Sequence, residues 1–440
     1  MKKTIFAFFG FGLMVALIYS CKQKQQLSID ITKLQNQCVY RLTDVIVYDI
    51  FTPPVAGRIY AYSNLAYYEA IRFKNTNANS ITKKLKGFET MPIPDKSKQY
   101  DYSVSAVKSF FTVAKALTFS KDSLTVTENS LLNTFQNTTD EVVYKNSIAL
   151  GDSIALIILK RAAVDNYKKT RGMPRYSVFN NHGKWQQTPP DYADAVEPNW
   201  RLIAPLLLDS AAQFKPAPPP PFNLNKNSQY YKELLEVLTI SKQITPSQDT
   251  IAHYWDDNPF VTEHSGHLMF ANKKTTPGGH WMGIIDILCT QTKAFEVKTA
   301  SAYAFASCAI FDGFISCWDE KYRSSTIRPI IVIRENITPE WNALLQTPPF
   351  PEYTSGHSVI TAAAAKVLTQ IFGNAVAFHD TTELKYLGLE RSYNSIQHAA
   401  DEAAISRLYG GIHYRSAISA GIKQGQQIGQ LYITYFNLNK

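Results

Sequence analysis

The sequence predicts an all-α protein, and three observations support this prediction. Apolar residues recur at helical spacing through most of the 440-residue chain, as in the run from Val45 to Arg72. Alternating segments of Val, Ile and Thr bounded by turns, which would predict strands, are scarce. No repeat with a period of about 20 to 50 residues stands out, which argues against a solenoid.

The N-terminus has the pattern of an export signal. Lys2 and Lys3 precede an apolar segment from Ile5 to Tyr19, which is shorter than the about 20 residues of a comfortable membrane span. The sequence Ser20-Cys21 at its end resembles a bacterial lipoprotein cleavage site, in which Cys21 would carry lipid. We therefore predict an exported protein, lipid-anchored in the bacterial cell envelope (periplasm or outer membrane), with membrane contact only through this anchor.

The first third of the mature chain is predicted to be helical after a polar tether at residues 22–37. Helical spacing fills four segments, the first of them interrupted by Thr52-Pro53-Pro54. These segments are 45–72, 102–117, 121–135 and 141–165. Residues 75–100 are rich in Asn, Lys, Pro and Ser and are predicted to form a loop.

An irregular segment follows, and it contains the best candidate for an internal boundary. Helical spacing is lost between Tyr167 and Ser228, where Pro218 begins a run of four prolines. Such a run is stiff and extended and cannot lie inside a helix. The segment either separates two parts of the chain or wraps over the surface. The predicted division is a signal peptide at 1–21, an N-terminal helical part at 22–215, a Pro-rich connection at 216–228 and a C-terminal helical part at 229–440.

The second half resumes helical spacing and contains one long apolar stretch. Residues 300–318 consist largely of Ala, Phe, Ile and Cys and are predicted to form a central buried helix. The other helices are predicted at 230–240, 248–256, 280–289, 355–372, 398–409 and 416–436.

Charge and cysteine content exclude two classes of protein. The net charge of +9 is spread along the chain without a basic and aromatic stripe, so we expect mild attraction for anions and no nucleic-acid binding. Four cysteines besides Cys21 are too few for a disulfide framework in so long a chain. We predict that they are buried free thiols.

The hexapeptide Tyr353-Thr354-Ser355-Gly356-His357-Ser358 lies at the predicted start of a helix. The first N–H groups of a helix lack intrahelical acceptors and favour anions. A hydroxyl, a glycine amide and an imidazole in succession therefore indicate an oxyanion site. The alternative is that Ser355 only caps the helix and His357 is a satisfied surface residue.

Two further segments supply cations and imidazole. Lys321 and Arg328 would lie about 20 Å apart in an extended chain, so they can share an anion only if the chain turns at 324–326. Arg407 and His413 would occupy different faces of a continuous helix, but Gly410-Gly411 can break that helix. Both pairs can then converge on one anion.

The order Lys-x6-Arg-Pro (321–329), Ser-Gly-His (355–357) and Ser-Arg-x5-His (406–413) resembles one superfamily. It unites the vanadium-dependent haloperoxidases with the type-2 phosphatidic acid phosphatases, and the motifs cover about 90 residues. A more diffuse likeness to exported bacterial haloperoxidase-like proteins extends to 58–62 and 279–281. The resemblance implies a fold of two four-helix bundles.

The resemblance also implies roles for seven residues. Lys321, Arg328 and Arg407 would neutralise the oxygens of vanadate, or of phosphate in a phosphatase. Ser355 and the Gly356 amide would add hydrogen bonds to the oxyanion. His413 would coordinate vanadium or attack phosphorus, and His357 would be the acid/base. Imidazole suits both tasks near neutral pH.

Trp318 and Phe350 match aromatic positions on the halide side of fungal chloroperoxidase-type sites. The alternative is that both side chains only fill the core, since aromatic residues make up 12% of the chain.

The sequence departs from the family pattern at two positions. Thr354 stands where proline is usual, and Ala417 stands where many members have an aspartate that would orient the last histidine. A carboxylate partner for this histidine must then come from elsewhere in the chain or be absent, and Asp401 and Glu402 are the candidates nearby in sequence.

Three functions follow from the resemblance and its departures. The first is a vanadate-dependent haloperoxidase that oxidises halide with hydrogen peroxide. The second is an acid phosphatase that cleaves a phosphoester through a phosphohistidine at His413. The third is a catalytically degenerate surface lipoprotein that binds an oxyanion or another ligand, and Ala417 favours it. The sequence leaves the oligomeric state unknown.

Overall fold

The computed structural model is helical almost throughout, as predicted. It describes residues 30–75, 77–178, 181–259, 261–265, 268–271 and 273–438, so the predicted signal peptide and Cys21 lie outside the described residues. The α-helices within these ranges are α1 (Leu34–Tyr48), α2 (Pro53–Ile71), α3 (Tyr102–Leu117), α4 (Lys121–Gln136), α5 (Glu141–Ala163), α6 (Tyr167–Arg171), α7 (Gln229–Lys242), α8 (Pro246–Tyr254), α9 (Pro277–Gln291), α10 (Glu296–Ser324), α11 (Pro329–Asn336), α12 (Gly356–Phe372), α13 (Leu384–Leu387), α14 (Ile396–Tyr409) and α15 (Arg415–Phe436).

The described strands are short and form two antiparallel pairs. β1 (Thr262–Ser265) pairs with β2 (Leu268–Ala271), and β3 (Phe378–Asp380) pairs with β4 (Arg391–Tyr393). Strands of three or four residues are too short to show an alternating pattern, so the sequence did not predict them. Short 3-10 helices lie at Ile31–Lys33, Arg72–Lys74 and Trp200–Leu202.

Helices α2, α3 and α5 form the first bundle, with α1 and α4 packed at its side. Every residue of α2 is buried, because α3, α5 and α10 surround it. The helix begins at Pro53-Pro54, directly after the extended residue Thr52. Proline suits the first helical turn, where its missing N–H group has no acceptor to lose. The predicted interruption at this point is confirmed.

Helices α10, α12, α14 and α15 form the second bundle, and α10 also contacts α2 of the first. The contact between α12 and α15 is close because α15 presents glycines toward α12. A Cβ atom at Gly425 would lie 2.2 Å from the carbonyl oxygen of Val359. Any larger residue at this position would force the two helices apart, and α12 carries the predicted oxyanion motif.

The irregular segment before the proline run packs against the core. Asp312 of α10 is buried and accepts hydrogen bonds from the backbone amides of Leu206, Leu207 and Leu208, at 2.8, 2.9 and 3.2 Å. The main hydrophobic core also contains residues from both sides of 216–228. The segment therefore wraps over helices of the C-terminal part, while the division at 216–228 stays a prediction.

Within the described residues, two helices have the length and apolar composition of membrane spans, namely α5 and α10. In the most apolar part of α10, 94% of the residues are buried within the protein, so this helix is a core element, as predicted. The four described cysteines are buried free thiols, as predicted: Cys38, Cys289, Cys308 and Cys317.

Candidate active site

The predicted oxyanion motif lies at the N-terminus of α12. Ser355 is the N-cap residue, and its hydroxyl accepts from the Ser358 amide at 3.4 Å and from the Ser358 hydroxyl at 2.9 Å. Gly356 and His357 are the first two helical residues, and both line a cavity. Ser355 thus caps the helix, and its cap places two groups of the motif at the cavity wall.

Three buried cations surround this helix end. Lys321 belongs to the last turn of α10, Arg328 directly precedes α11, and Arg407 lies in the last turn of α14. The exposed fraction of each is at most 1%. The chain reverses after Lys321 because α10 ends at Ser324 and Ser325 adopts a left-handed conformation with φ of 49°. The turn that the sequence requires at 324–326 is therefore present.

Carbonyl oxygens hold the cations in place without neutralising them. Lys321 Nζ donates to the carbonyl oxygens of Pro351 at 2.8 Å and Glu352 at 3.1 Å. Arg328 donates to the carbonyl oxygens of Phe350 and Ile412 at 2.9 and 2.8 Å.

Each arginine keeps an unused donor. Arg407 Nη1 donates to the carbonyl oxygen of Trp255 at 2.8 Å. Arg328 Nη2 and Arg407 Nε are buried without a hydrogen-bond partner among the described residues. Unpaired buried donors are costly, so these two groups indicate a place for an anionic ligand.

His413 reaches the same place from the turn after α14. The helix ends at Tyr409 and Gly411 has φ of +75°, so the chain turns back as the two glycines predict. His413 Nε2 lies 3.2 Å from Arg328 Nη1, and its Nδ1 lies 2.8 Å from Glu352 Oε1. The structure thus brings His413, Arg328 and Glu352 together.

His357 faces a second carboxylate. Its Nε2 atom lies 3.6 Å from Asp257 Oδ2 and has no hydrogen-bond partner among the residues described. Its side chain is 13% exposed. The alternative that His357 is a satisfied surface residue is therefore wrong. Asp257 is 100 residues away in the chain, and no sequence spacing points to it.

Burial lowers the pKa values of the basic groups of the site. Burial, together with Arg328 and Arg407, lowers the pKa of Lys321 to about 7. Burial also lowers the pKa of Arg328 to about 10. Burial and then Arg407 lower the pKa of His357 to about 4, and burial and the three cations hold the pKa of His413 well below its usual value. A bound oxyanion would offset the charge of the three cations and so stabilise their charged forms.

Trp318 and Phe350 lie side by side on the cavity wall. Their ring centroids are 5.1 Å apart, and both residues line the cavity together with His357, Arg407 and His413. The cavity volume is about 30 Å³. Since one water needs about 10 to 15 Å³ of such space, the cavity has room for a small inorganic ion or peroxide.

Comparisons with known proteins agree with this geometry. A family profile described as the VCPO second helical-bundle domain matches residues 301–438. The crystal structure of the first bacterial vanadium-dependent iodoperoxidase is 44% identical, covers 93% of this chain and 97% of that chain, and has a TM-score of 0.88. The chain belongs to the vanadium-dependent haloperoxidases.

Two more distant structures share the fold of this haloperoxidase. They are the holo and apo forms of a bacterial vanadium-dependent chloroperoxidase, each 16% identical. The holo form covers 89% of this chain and 94% of that chain, with a TM-score of 0.69. The apo form covers 88% and 95%, with a TM-score of 0.67. No curated protein matches the chain.

The haloperoxidase compensates for Ala417 with a carboxylate that the sequence did not indicate. Glu352 is buried and accepts from the Tyr414 amide at 2.9 Å as well as facing His413. The expectation that Asp401 or Glu402 replaces the aspartate is wrong. Asp401 is exposed and accepts from Gln397.

Glu402 is engaged elsewhere, by Arg391 at 2.6 Å and by Tyr393 at 2.8 Å. Glu352 is separated from His413 by 61 positions, so its role depends on the fold and not on a motif. Thr354, the other departure, is buried and donates to Gln424 at 2.8 Å.

Proposed function

We propose that the protein is a vanadate-dependent haloperoxidase that oxidises halide with hydrogen peroxide. The observation that carries this proposal is the convergence of three buried cations on two histidines, with unused donors on both arginines. Membership of the haloperoxidase family supports the same function. The small cavity favours it over hydrolysis of a bulky phosphoester.

The residues present fit vanadate. Lys321, Arg328 and Arg407 would neutralise its oxygens, the Ser355 hydroxyl and Gly356 amide would add hydrogen bonds, and His413 Nε2 would be the ligand to vanadium. When bound, vanadate supplies an electron-poor centre that makes hydrogen peroxide a stronger oxidant of halide.

His413 is prepared for ligation by its surroundings. A metal-ligating histidine usually donates its other ring N–H to a carboxylate, which fixes the tautomer. Here Glu352 Oε1 lies 2.8 Å from Nδ1 and can hold the proton on that nitrogen. Because the pKa of His413 is well below its usual value, Nε2 keeps its lone pair at neutral pH.

His357 is suited to accept the proton of hydrogen peroxide. Its pKa of about 4 keeps the imidazole neutral at pH 7. An oxyanion beside Arg407 would offset the charge that lowers this pKa and so increase the basicity of the ring. Asp257, 3.6 Å away, would then stabilise the imidazolium that forms.

Trp318 and Phe350 form the wall that we assign to the halide. Aromatic rings exclude water, and the ring of Phe350 lies 4.9 Å from Lys321 Nζ. Iodide is the halide that we expect to react most readily, because it is the most easily oxidised and because the 44% identical relative is an iodoperoxidase.

One comparison tests the function. Protein freed of bound oxyanion is assayed for phosphomonoester cleavage, and then for iodide, bromide and chloride oxidation by peroxide with and without orthovanadate. We expect halide oxidation only with vanadate. Hydrolysis that vanadate inhibits would instead show a phosphatase, and vanadate binding without either reaction would show a degenerate site. Full activity of His413→Ala would refute the assigned site.

We also propose that the protein is tethered to the cell envelope through lipid on Cys21. The sequence from Lys2 to Cys21 supports this. The full chain should sediment with membranes and dissolve in detergent, whereas Cys21→Ser should leave the membrane fraction. Equal distribution of the two proteins would refute the anchor.

A further inference from the structure

A second polar cluster lies directly behind His357, and it is acidic where the vanadate pocket is basic. Asp257, His280, Asp380 and Glu383 are all buried, with exposed fractions of at most 2%. His280 belongs to α9, Asp380 ends β3 and Glu383 directly precedes α13. Three carboxylates thus surround one imidazole in the protein interior, and the proposed haloperoxidase reaction uses only Asp257.

Three of these groups are spaced as metal ligands. His280 Nδ1 lies 3.0 Å from Asp257 Oδ1 and 3.6 Å from Glu383 Oε1. One ligand atom from each of the three residues lies within 4.8 Å of the others. When two ligand atoms each lie about 2.1 Å from one ion, and the angle between them at the ion lies between about 90° (octahedral) and about 109° (tetrahedral), the two atoms are about 3.0 to 3.4 Å apart. The distance from His280 to Asp257 lies in this range, and the distance from His280 to Glu383 is slightly longer.

Glu383 supplies independent support for a ligand. Its exposed fraction is 1%, and Oε1 has no hydrogen-bond partner within the part of the chain that the structure describes. This atom points toward His280 Nδ1. An ion between them would satisfy an oxygen that is otherwise costly to bury.

The other side of His280 is arranged as in metal sites. Its Nε2 lies 3.0 Å from Asp380 Oδ2, and Asp380 Oδ1 accepts from the Thr382 amide at 3.0 Å. A carboxylate on the second ring nitrogen orients a metal-ligating histidine and increases its basicity. The indole of Trp255 stacks on the imidazole, with centroids 4.3 Å apart. The ring of His280 is therefore fixed with Nδ1 directed at Asp257 and Glu383.

We propose that Asp257, His280 and Glu383 bind a divalent transition-metal ion, separate from the vanadate pocket. One imidazole and two carboxylates suit Zn²⁺ or Mn²⁺, whereas Ca²⁺ and Mg²⁺ prefer oxygen ligands alone. A cavity of about 170 Å³ lies beside the cluster, and Gly279 and Thr382, the chain neighbours of His280 and Glu383, line it. Vanadate is repelled from this cluster by the same carboxylates that attract a cation.

The ion would act on the haloperoxidase site through Asp257. This residue faces His280 with Oδ1 and His357 with Oδ2. A metal on Oδ1 would fix the carboxylate and hence the orientation of His357. The metal site itself does not depend on the proposed function, and its binding is measured without peroxide or halide.

The test uses the full chain, freed of metal with a chelator and then titrated with Zn²⁺ or Co²⁺. We expect about one ion per chain by elemental analysis, with visible Co²⁺ absorption that vanadate does not displace. Glu383→Gln should weaken binding by at least about 10- to 100-fold, which is the loss typical when a residue that only orients a metal ligand is replaced. The matched control is His379→Gln, which removes the imidazole of an exposed pair with Glu390 at 3.2 Å and should bind like the wild type.

Two results would overturn the metal site. One is wild-type protein that takes up no tight ion, a measurement that does not require any variant to fold. The other is a folded Glu383→Gln protein, with an unchanged circular dichroism spectrum, whose Zn²⁺ affinity equals that of the wild type.

Discussion

Replacing Glu352 by glutamine should weaken vanadate binding without weakening the binding of a simpler anion. Glu352 faces His413 Nδ1 at 2.8 Å and accepts from the Tyr414 amide at 2.9 Å. The Glu352→Gln change keeps the size of the side chain and one acceptor oxygen but removes the charge. The lone pair of His413 Nε2 then becomes a poorer ligand for vanadium. Sulfate does not form a coordinate bond with His413, so only the charge of the pocket affects its affinity.

The magnitude follows from the hydrogen bond that loses its charge. A bond to a charged group contributes about 1.5 to 3 kcal/mol and a neutral bond about 0.5 to 1.5 kcal/mol. The difference of about 1.4 kcal/mol corresponds to about tenfold in the dissociation constant. Sulfate affinity should be unchanged or higher, because a nearby negative charge has been removed. Burial raises the pKa of Glu352 to about 7, so the vanadate effect should be larger at pH 8 than at pH 6.

Calorimetric titration of oxyanion-free protein with each anion measures both effects. Asp401→Asn is the matched control, since it removes an exposed carboxylate that faces Gln397 and not His413. Equal loss of vanadate and sulfate affinity in Glu352→Gln would show that the residue only maintains the fold. Unchanged vanadate affinity at pH 8 would refute its role in orienting His413.

Three further results are expected. Sulfate affinity should fall as pH rises from 6 to 9, by up to about tenfold per pH unit above pH 7. The reason is that the pKa of Lys321 lies at about 7, so the free protein loses the charge of this lysine above pH 7. Calorimetric titration at each pH checks this, and an affinity that does not change with pH contradicts it. His357→Ala should have a vanadate dissociation constant within about threefold of the wild type, but its kcat for iodide oxidation should fall about 100-fold or more, as expected for the loss of an acid/base. A loss of vanadate affinity as large as the loss of kcat would contradict the separation of roles. Gly356→Ala should have the melting temperature of the wild type, because the added Cβ would lie 3.7 Å from Trp318 and 3.9 Å from Lys321, which are ordinary van der Waals contacts. Its oxyanion affinity should fall about tenfold, because the methyl group extends from the pocket wall toward the anion. Unchanged affinity would place the anion elsewhere.

The helices and the basic motifs could be predicted from sequence because their signals are local. The start of α12 follows from Ser355 as a cap, and the turn before His413 follows from Gly410-Gly411. The spacings of the motifs Lys-x6-Arg-Pro and Ser-Arg-x5-His identified the three cations, namely Lys321, Arg328 and Arg407.

The parts that could not be predicted depend on contacts between distant residues. Glu352 and Asp257 gain their roles only when the fold places them beside histidines 61 and 100 positions away. The start of α1 was missed for the same reason, since residues 22–37 were assigned to a polar tether but α1 begins at Leu34. The side-chain amide of Gln35 is buried there and donates to Asn64 at 3.0 Å. The polar sequence suggested exposure to solvent, whereas in the fold this polar group is paired with another side chain.

The two carboxylates also explain how one pocket can give two histidines different tasks. His413 is buried beside all three cations, His357 is largely buried beside Arg407, and both pKa values are lowered. His413 lies within hydrogen-bond distance of its carboxylate, 2.8 Å from Glu352, which fixes one tautomer and suits a permanent ligand. His357 lies 3.6 Å from Asp257, beyond hydrogen-bond distance, so its ring can gain a proton and tighten that contact during a reaction. The division between ligand and proton acceptor therefore resides in the distance from each ring to its carboxylate, and not in the charge of Arg407, which lowers the pKa of both rings.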